Sequence, residues 1–423
     1  MARVDGSRAG GREGSMVKPR MALTFNIKVK SALHLGQAPL GAGEYLFTQR
    51  YVPGSALRGA LAEACIEQGL QPGSGSEFED LFEGPEAVRF EPAYPTRGRH
   101  WGYPFPLTAR RCKHHGGFPS EDAKPEAAAR SHGVFDTLVN QVVFEAYLEA
   151  GVLPSLEKAL CPHCWEGVEP AAGAYTWRGG VDGRPGPAAT VLERHTHTAI
   201  NRERGVAEDG MLFTVETIEP GTLLHGCVWV SPQYQELVAD ALSRIRHLGR
   251  GAARGQGRVD IELASSTMPS DTQARIIALN QCFAEEVAYY ATLTGHALPL
   301  AEHIYFTLDL LSPTVVSGGA TATLTPPDLG LTATATLIRR FVAPETISGW
   351  WSVARLPYAT ALAAKTGSVF LYATPADVDL AQLSAELDAL RATGIGRYRE
   401  RGYGAVMACA PFHLWTAEKE AAR

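Results

Sequence analysis

The sequence predicts an α+β protein made of two ferredoxin-like, split-βαβ sandwiches, with an insertion in the first. Three observations carry that reading. A strand that alternates apolar and polar residues opens the chain twice, at Leu23–Ser31 and at Ile304–Leu311. A helical stretch, a glycine-arginine loop and a short apolar strand close each unit. A stretch rich in Pro, Gly and His interrupts only the first unit. Strand–helix openings and helix–loop–strand endings are what a split-βαβ sandwich requires.

The elements follow in order. Residues 1–20 are polar and glycine-rich and read as a tag, leader or disordered arm, with Met16 or Met21 as a natural start. The first unit covers residues 21–265, with its insertion at about 92–190. Its closing elements are a helix over Leu237–Leu248, the loop Gly249–Gly257 and a strand over Arg258–Leu263. A connecting helix lies within residues 266–300, where Ile276, Ile277, Asn280, Phe283 and Val287 recur at helical spacing. The second unit covers residues 301–423 and closes with a helix over Leu380–Ala392, the loop Gly394–Gly404 and a strand over Ala405–Ala410. The full length of 423 residues agrees with more than one domain, since a single domain is usually roughly 100–200 residues.

Composition narrows the function. At 45% hydrophobic and 20% charged, the chain can bury real cores, which excludes a disordered chain or a coiled coil. No apolar run approaches the roughly 20 residues of a membrane helix and no secretory leader opens the chain, so a soluble cytoplasmic protein with no membrane partner is expected. The net charge of −6 argues against a general nucleic-acid binder, but it averages over segregated charge. Arg244, Arg246, Arg250, Arg254 and Arg258 fall in a segment without an acid, and five more cations lie between Arg97 and Lys113. Between Glu63 and Glu91, eight carboxylates meet one cation, Arg89. Charge segregated in this way lets one face hold a polyanion. Seven scattered cysteines fit a reducing compartment and a metal better than disulfides.

Four stretches carry candidate chemistry. In Tyr51–Cys65, Pro53 begins a helix that Ser55 can cap, and Arg58 lies off the apolar face of Leu57, Leu61 and Ala64. Such a helix start suits a phosphate, the alternative being an ordinary capped helix. The two glycine loops fail as dinucleotide fingerprints because each follows a helix and leads into a strand. Glycine backbone crowded with Arg250, Arg254 and Arg258, or with Arg397, Tyr398, Arg399, Arg401 and Tyr403, instead suits phosphate or RNA, against a plain solvated loop. Cys112 with His115 (or His114), together with Cys161 and Cys164, gives two close ligand pairs at the spacing of a structural zinc that pins the insertion. Finally, His195 and His197 precede the polar turn of Asn201, Arg202 and Arg204, and the histidines either serve acid–base chemistry or simply bond and stack.

Together these pieces resemble the RAMP superfamily of CRISPR-associated proteins. The residues that carry the resemblance are Val52–Gly59, the segment Thr198–Phe213 and the loop Gly249–Gly257. In the second half they are Gly349–Trp351 with Arg355–Pro357, Gly367–Phe370 and the loop Gly394–Gly404. The layout is most similar to the two-domain RAMP subunit of type III-D effector complexes, which caps the repeat-derived 5-prime handle of the guide RNA. That implies two ferredoxin-like, RRM-like domains and a non-catalytic subunit holding crRNA. The implied partners are other RAMP backbone subunits and the large subunit, with target RNA contacted indirectly. Related subunits cut target RNA with an aspartate after the first strand, but Ser31–Arg50 contains no aspartate and a single acid, Glu44. The rival reading is a metal-independent endoribonuclease processing repeat RNA, with His34, His195 or His197 as general base.

Overall fold

The computed structural model describes residues 20–421, except 37–44, 99, 119–130, 154–158, 189, 265–270, 317–323, 327, 352–355 and 358–359. Residues 1–19 of the N-terminal arm, Glu44 and Arg355 therefore lie outside the described residues. The chain is α+β, with its strands distributed over several sheets.

The first sheet forms because Met21–Val29 buries Phe25, Ile27 and Val29 completely on alternating positions. It runs antiparallel to Leu223–Val230 on one side and to Val259–Leu263 on the other. The strand order is Val259–Leu263, Met21–Val29, Leu223–Val230, then the short strands Arg89–Phe90 and Tyr94–Pro95, so chain neighbours are separated in space. Helices Gly54–Glu67 and Gln235–Arg244 pack in the same core, burying Leu57, Leu61 and Ala64 from one and Val238, Ala241 and Leu242 from the other. Each fully buried leucine contributes about 1.5–3 kcal/mol of transfer free energy.

The second sheet has the order Val406–Ala408, His303–Leu310, Val369–Pro375, Thr336–Phe341. With the short edge strands Arg89–Phe90 and Tyr94–Pro95 counted as one, both sheets read fourth, first, third, second by order of appearance within each unit, and every pairing within them is antiparallel. The units differ in how a helix reaches the sheet. The first unit places Gly54–Glu67 after its opening strand. In the second, the helix Thr272–Thr294 precedes the opening strand and packs against it, beside the helix Leu380–Thr393. The Asn280 side chain fixes this contact, its Nδ2 donating to Tyr305 O and its Oδ1 accepting from Tyr305 N, both at 2.8 Å.

The insertion interrupts the first unit in sequence but docks on the second in space. Its strands Trp101–Pro104 and Ala174–Arg178 contribute Tyr103, Tyr175 and Trp177 to a cluster completed by Leu311, Met407 and Phe412. Its helix Leu138–Glu149 buries Leu138, Val143 and Tyr147 with Ile276, Leu279 and Phe283 of Thr272–Thr294. Between the two, His413 is completely buried and bonds Asp136 Oδ2 through Nδ1 and Asp309 Oδ1 through Nε2, both at 2.7 Å. Burial opposes protonation of His413, but Asp309 and Asp136 outweigh it and hold the imidazolium up to about 10.

A second buried ion pair joins the two units. Arg391 donates to Glu91 through Nε at 2.9 Å and Nη2 at 3.1 Å, while Trp229 Nε1 donates to the same carboxylate at 2.8 Å. Burial opposes the Arg391 charge, yet Glu91 more than compensates and holds that guanidinium above its ordinary range. Among the described residues no helix is long and apolar enough to cross a membrane.

Candidate RNA interface and metal centre

The two glycine-arginine loops have one backbone design. Leu248 N donates to Gly257 O at 2.9 Å, and Ile395 N donates to Gly404 O at 2.9 Å. Gly257 N reaches back to Ala32 O at 2.9 Å, and Gly404 N to Pro313 O at 3.0 Å. Arg250 pairs with His34 and Arg397 with Val315 as isolated antiparallel bridges. Each loop then enters a left-handed residue, makes a single 3-10 turn and leaves through a left-handed glycine. In the first these are Gly251 (φ 90°), Ala252–Arg254 and Gly255 (φ 77°). In the second they are Tyr398 (φ 59°), Arg399–Arg401 and Gly402 (φ 85°). Left-handed backbone explains why the glycines are where they are. This places Arg250 opposite Arg397 and Arg254 opposite Arg401 in the duplicated pattern.

Their side chains lie in different surroundings. Arg250, Arg254 and Arg258 are exposed, as is Arg397, whereas Tyr398, Arg399, Arg401 and Tyr403 are half-buried. The guanidinium carbons of Arg397 and Arg401 lie 5.3 and 4.9 Å from the Tyr398 ring centroid, two cation–π contacts. The second loop also abuts the start of the helix Gly54–Glu67, where a Cβ on Gly402 would lie 2.5 Å from the Gly54 carbonyl carbon and 2.7 Å from Ser55 N. The expected Ser55 cap is not formed. Pro53 is the cap residue, it makes no side-chain cap bond, and exposed Ser55 sits one position inside the helix. Arg58 is engaged by Glu83 at 3.4 Å and lies over the Phe82 ring.

Asn201, Arg202 and Arg204 occupy the tip of a long hairpin, Leu192–Asn201 with Val206–Ile218. The Asn201 Oδ1 accepts from the backbone N–H of Glu203 at 3.0 Å and of Arg204 at 3.1 Å, which fixes the turn and leaves both arginines exposed. His195 and His197 stand two residues apart on one strand, with ring centroids 6.5 Å apart, and His195 lies 3.3 Å from Glu193. His34 is remote from that role: it is buried and its Nδ1 donates to Glu216 O at 2.8 Å.

The metal-ligand set requires one correction. Cys112, Cys161 and Cys164 come together with His132, in place of His115 or His114, and the four ligand atoms lie within 4.8 Å of one another. The backbone explains the exchange. Gly117 bridges to Gly133, and His132 N donates to His115 O at 2.8 Å, so the returning strand delivers His132 to the thiols. The His115 ring packs against His132 at 4.6 Å between centroids. Cys112 Sγ lies 3.7 Å from Cys164 Sγ, and Cys161 Sγ lies 3.4 Å from His132 Nδ1. A tetrahedral zinc with Zn–S bonds of about 2.3 Å has S···S edges near ~3.8 Å, so these donors fit it. Burial opposes ionisation of Cys112, but the N–H groups of His115 and His114 and the neighbouring thiols outweigh it and hold the thiol below its ordinary range. Cys161 closes the other turn, accepting from Trp165 N at 2.9 Å with Trp165 at φ 60°.

The family model described as CRISPR-associated protein (Cas_Cmr3) matches residues 184–410, just over half of the chain, and spans both glycine-arginine loops. The chain belongs to this family. No protein of curated function matches it significantly. Among solved structures, it is similar to a chain of the type III-B Cmr-beta complex bound to cognate target RNA, at 15% identity, covering 57% of this chain and 97% of that one, with a TM-score of 0.32. Another chain of that complex, bound to target RNA and AMPPnP, is 9% identical, with coverage of 82% and 86% and a TM-score of 0.42. A chain of the Csm3–Csm4 subcomplex of the type III-A interference complex is 11% identical, with coverage of 84% and 100% and a TM-score of 0.36. None of these likenesses is close enough to transfer a role.

Proposed function

We propose that this protein is a non-catalytic, guide-RNA-binding subunit of a type III CRISPR effector complex. Its two units are ferredoxin-like RAMP domains, residues 21–265 and 301–423, joined through the helix within 266–300. The observation that carries this reading is the duplicated glycine-arginine loop, one on each sheet, with matching backbone hydrogen bonds and cations in matching positions. Loops of this kind bring backbone N–H groups and guanidinium forks to phosphates. They hold the repeat-derived 5-prime handle of the crRNA, and the hairpin tip at Arg202 and Arg204 adds exposed cations. Family membership supports the CRISPR assignment, and the two-unit layout of the sequence most resembles the type III-D subunit. Other RAMP subunits and the large subunit are the partners, and the assembly works in the cytoplasm.

Cys112, His132, Cys161 and Cys164 hold a structural zinc that pins the insertion. With all four donors from the protein, no coordination position is left for a substrate.

The test is binding and cleavage of labelled repeat-containing crRNA by purified protein in EDTA. Retention of intact RNA, weakening steeply with salt, is expected. Cleavage that disappears in a His195→Ala, His197→Ala double variant would replace the holding role by that of a processing nuclease.

A further inference from the structure

We propose that the seam between the two units holds a backbone phosphate of RNA, gripped by Arg20, Arg89 and Arg399. This rests on the RNA-holding reading and adds a site outside the exposed glycine loop of the first unit.

The geometry starts from Arg89, the one cation of the acidic segment Glu63–Glu91. It lies on the edge strand Arg89–Phe90, which packs against the 3-10 turn Arg399–Arg401 of the other unit. Its Nε and Nη1 are buried without a hydrogen-bond partner among the described residues, and so is Arg20 Nε. Buried donors left unpaired cost about 1–3 kcal/mol each, more when charged, so these atoms suit an acceptor that a ligand brings. Among the described residues, the cluster's side-chain hydrogen bonds go to neutral carbonyls: Arg20 Nη2 donates to Pro85 O at 3.0 Å and Arg399 Nη1 to Gly394 O at 3.3 Å.

Two carboxylates, Glu86 and Glu400, border the cluster, and each has another partner. Glu86 accepts from Ser231 Oγ at 2.7 Å, and Glu400 faces Arg401 at 3.5 Å. Burial pushes the Arg89 guanidinium down to about 10, and the charges of Arg20 and Arg399 push the same way against Glu400. Burial and Arg399 likewise lower Arg20, against Glu86. Three like charges from three chain segments, one with two unpaired buried donors, call for an anion. A tetrahedral oxyanion accepts guanidinium forks from several directions at once, which a planar carboxylate does less well. The start of the helix Gly54–Glu67, in backbone contact with Gly402, turns its positive end toward the same seam.

The site therefore couples RNA occupancy to the contact between units, and that coupling can be measured. Thermal unfolding of the full chain is compared in inorganic phosphate and in chloride at matched ionic strength, for wild type and for Arg89→Gln, Arg399→Gln. Wild type is expected to gain about 2 °C at phosphate near ten times its Kd, while the double variant gains nothing. In crRNA binding the double variant is expected to lose roughly tenfold in affinity and about 0.7 in salt slope. Arg89→Lys, which keeps the charge, should retain most of the affinity and guards against a folding artefact. Wild-type RNA affinity and salt slope in a folded double variant would overturn the seam site and leave the RNA-holding reading intact. Phosphate stabilisation of wild type without any RNA binding would overturn the RNA assignment and that reading together.

Discussion

The loops Gly249–Gly257 and Gly394–Gly404 share a backbone yet serve different neighbourhoods. In the first, the left-handed entry position is Gly251 and the arginines point into solvent. In the second, the same position is Tyr398, in cation–π contact with Arg397 and Arg401, and the loop is pressed against the first unit through Gly402. Duplication kept the hydrogen bonds, which are set by glycines and chain path, while the side chains diverged. The lesson is that one loop is an open hand and the other is part of the joint between units. Chemistry that depends on exposure belongs to the first, and chemistry that depends on the joint belongs to the second.

The sharpest way to break that difference is to break the joint. Glu91 and Arg391 are both buried, so Glu91→Gln leaves an uncompensated guanidinium in the interior, at a cost of about 3–5 kcal/mol. Urea unfolding should show a midpoint lowered accordingly, or two transitions in place of one as the units part. An unchanged midpoint would mean that the second loop does not depend on this ion pair for its position.

The insertion supplies the next largest effect, since it docks on the second unit through His413. The folded pKa of this histidine is raised from 6.5 to about 10 by Asp309 and Asp136, against burial. A raised folded pKa gives stability that is fully present below about 6.5 and is lost as pH rises through about 10. Stability measured by denaturant should therefore fall from neutral pH toward pH 10, and His413→Gln should flatten that slope. Lowering the pH below 6.5 should not weaken this contact until its carboxylates take up protons.

These two joints also mark what the sequence could and could not reveal. The glycine loops were legible because left-handed backbone demands glycine at fixed intervals, and that demand is written in the residues. The pairing of Cys161 with Cys164 was legible from close spacing, whereas Cys112 joins them without the His115 or His114 its own spacing suggested. His132 was not legible, because the Gly117–Gly133 bridge places it beside thiols it does not neighbour in sequence, and neither C-x-x-H spacing nor periodicity marks that. Ser55 looked like a cap, yet the helix starts at Gly54 and Pro53 takes that place. Glu91, Arg391, Arg89 and His413 acquire meaning only when two units separated by some 300 positions meet (Glu91 and Arg391 are 300 apart), and no local pattern carries that information. The same holds for the insertion, which reads as part of the first unit but shares its core with the second.

Equivalent glycines offer a finer test of the comparison. Gly255 and Gly402 are both left-handed, at φ 77° and 85°, so alanine at either costs about 1–2 kcal/mol of backbone strain. Around Gly255 a Cβ meets no described atom within 4 Å, whereas at Gly402 it strikes the backbone of Gly54 and Ser55. Gly402→Ala should therefore destabilise clearly more than Gly255→Ala in thermal unfolding. Equal losses would show that the second loop is not wedged against the helix start.

The smallest expected effect concerns single arginines in RNA binding. Arg254 and Arg401 occupy matching positions, but Arg254 is exposed while Arg401 stacks on Tyr398 and faces Glu400. If exposure governs phosphate contact, Arg254→Ala should lower crRNA affinity and reduce the slope of log affinity against log salt by about 0.7, the value for one phosphate of single-stranded RNA. Arg401→Ala removes a stacked and partly neutralised cation, so its slope should change by less, while Tyr398 loses one of its two cation–π contacts, worth about 0.5–1 kcal/mol. A salt titration of the two variants beside wild type reads both quantities. Equal slopes for the two variants would mean that RNA reaches both loops alike, and that the divergence of their side chains tunes the joint without tuning the grip.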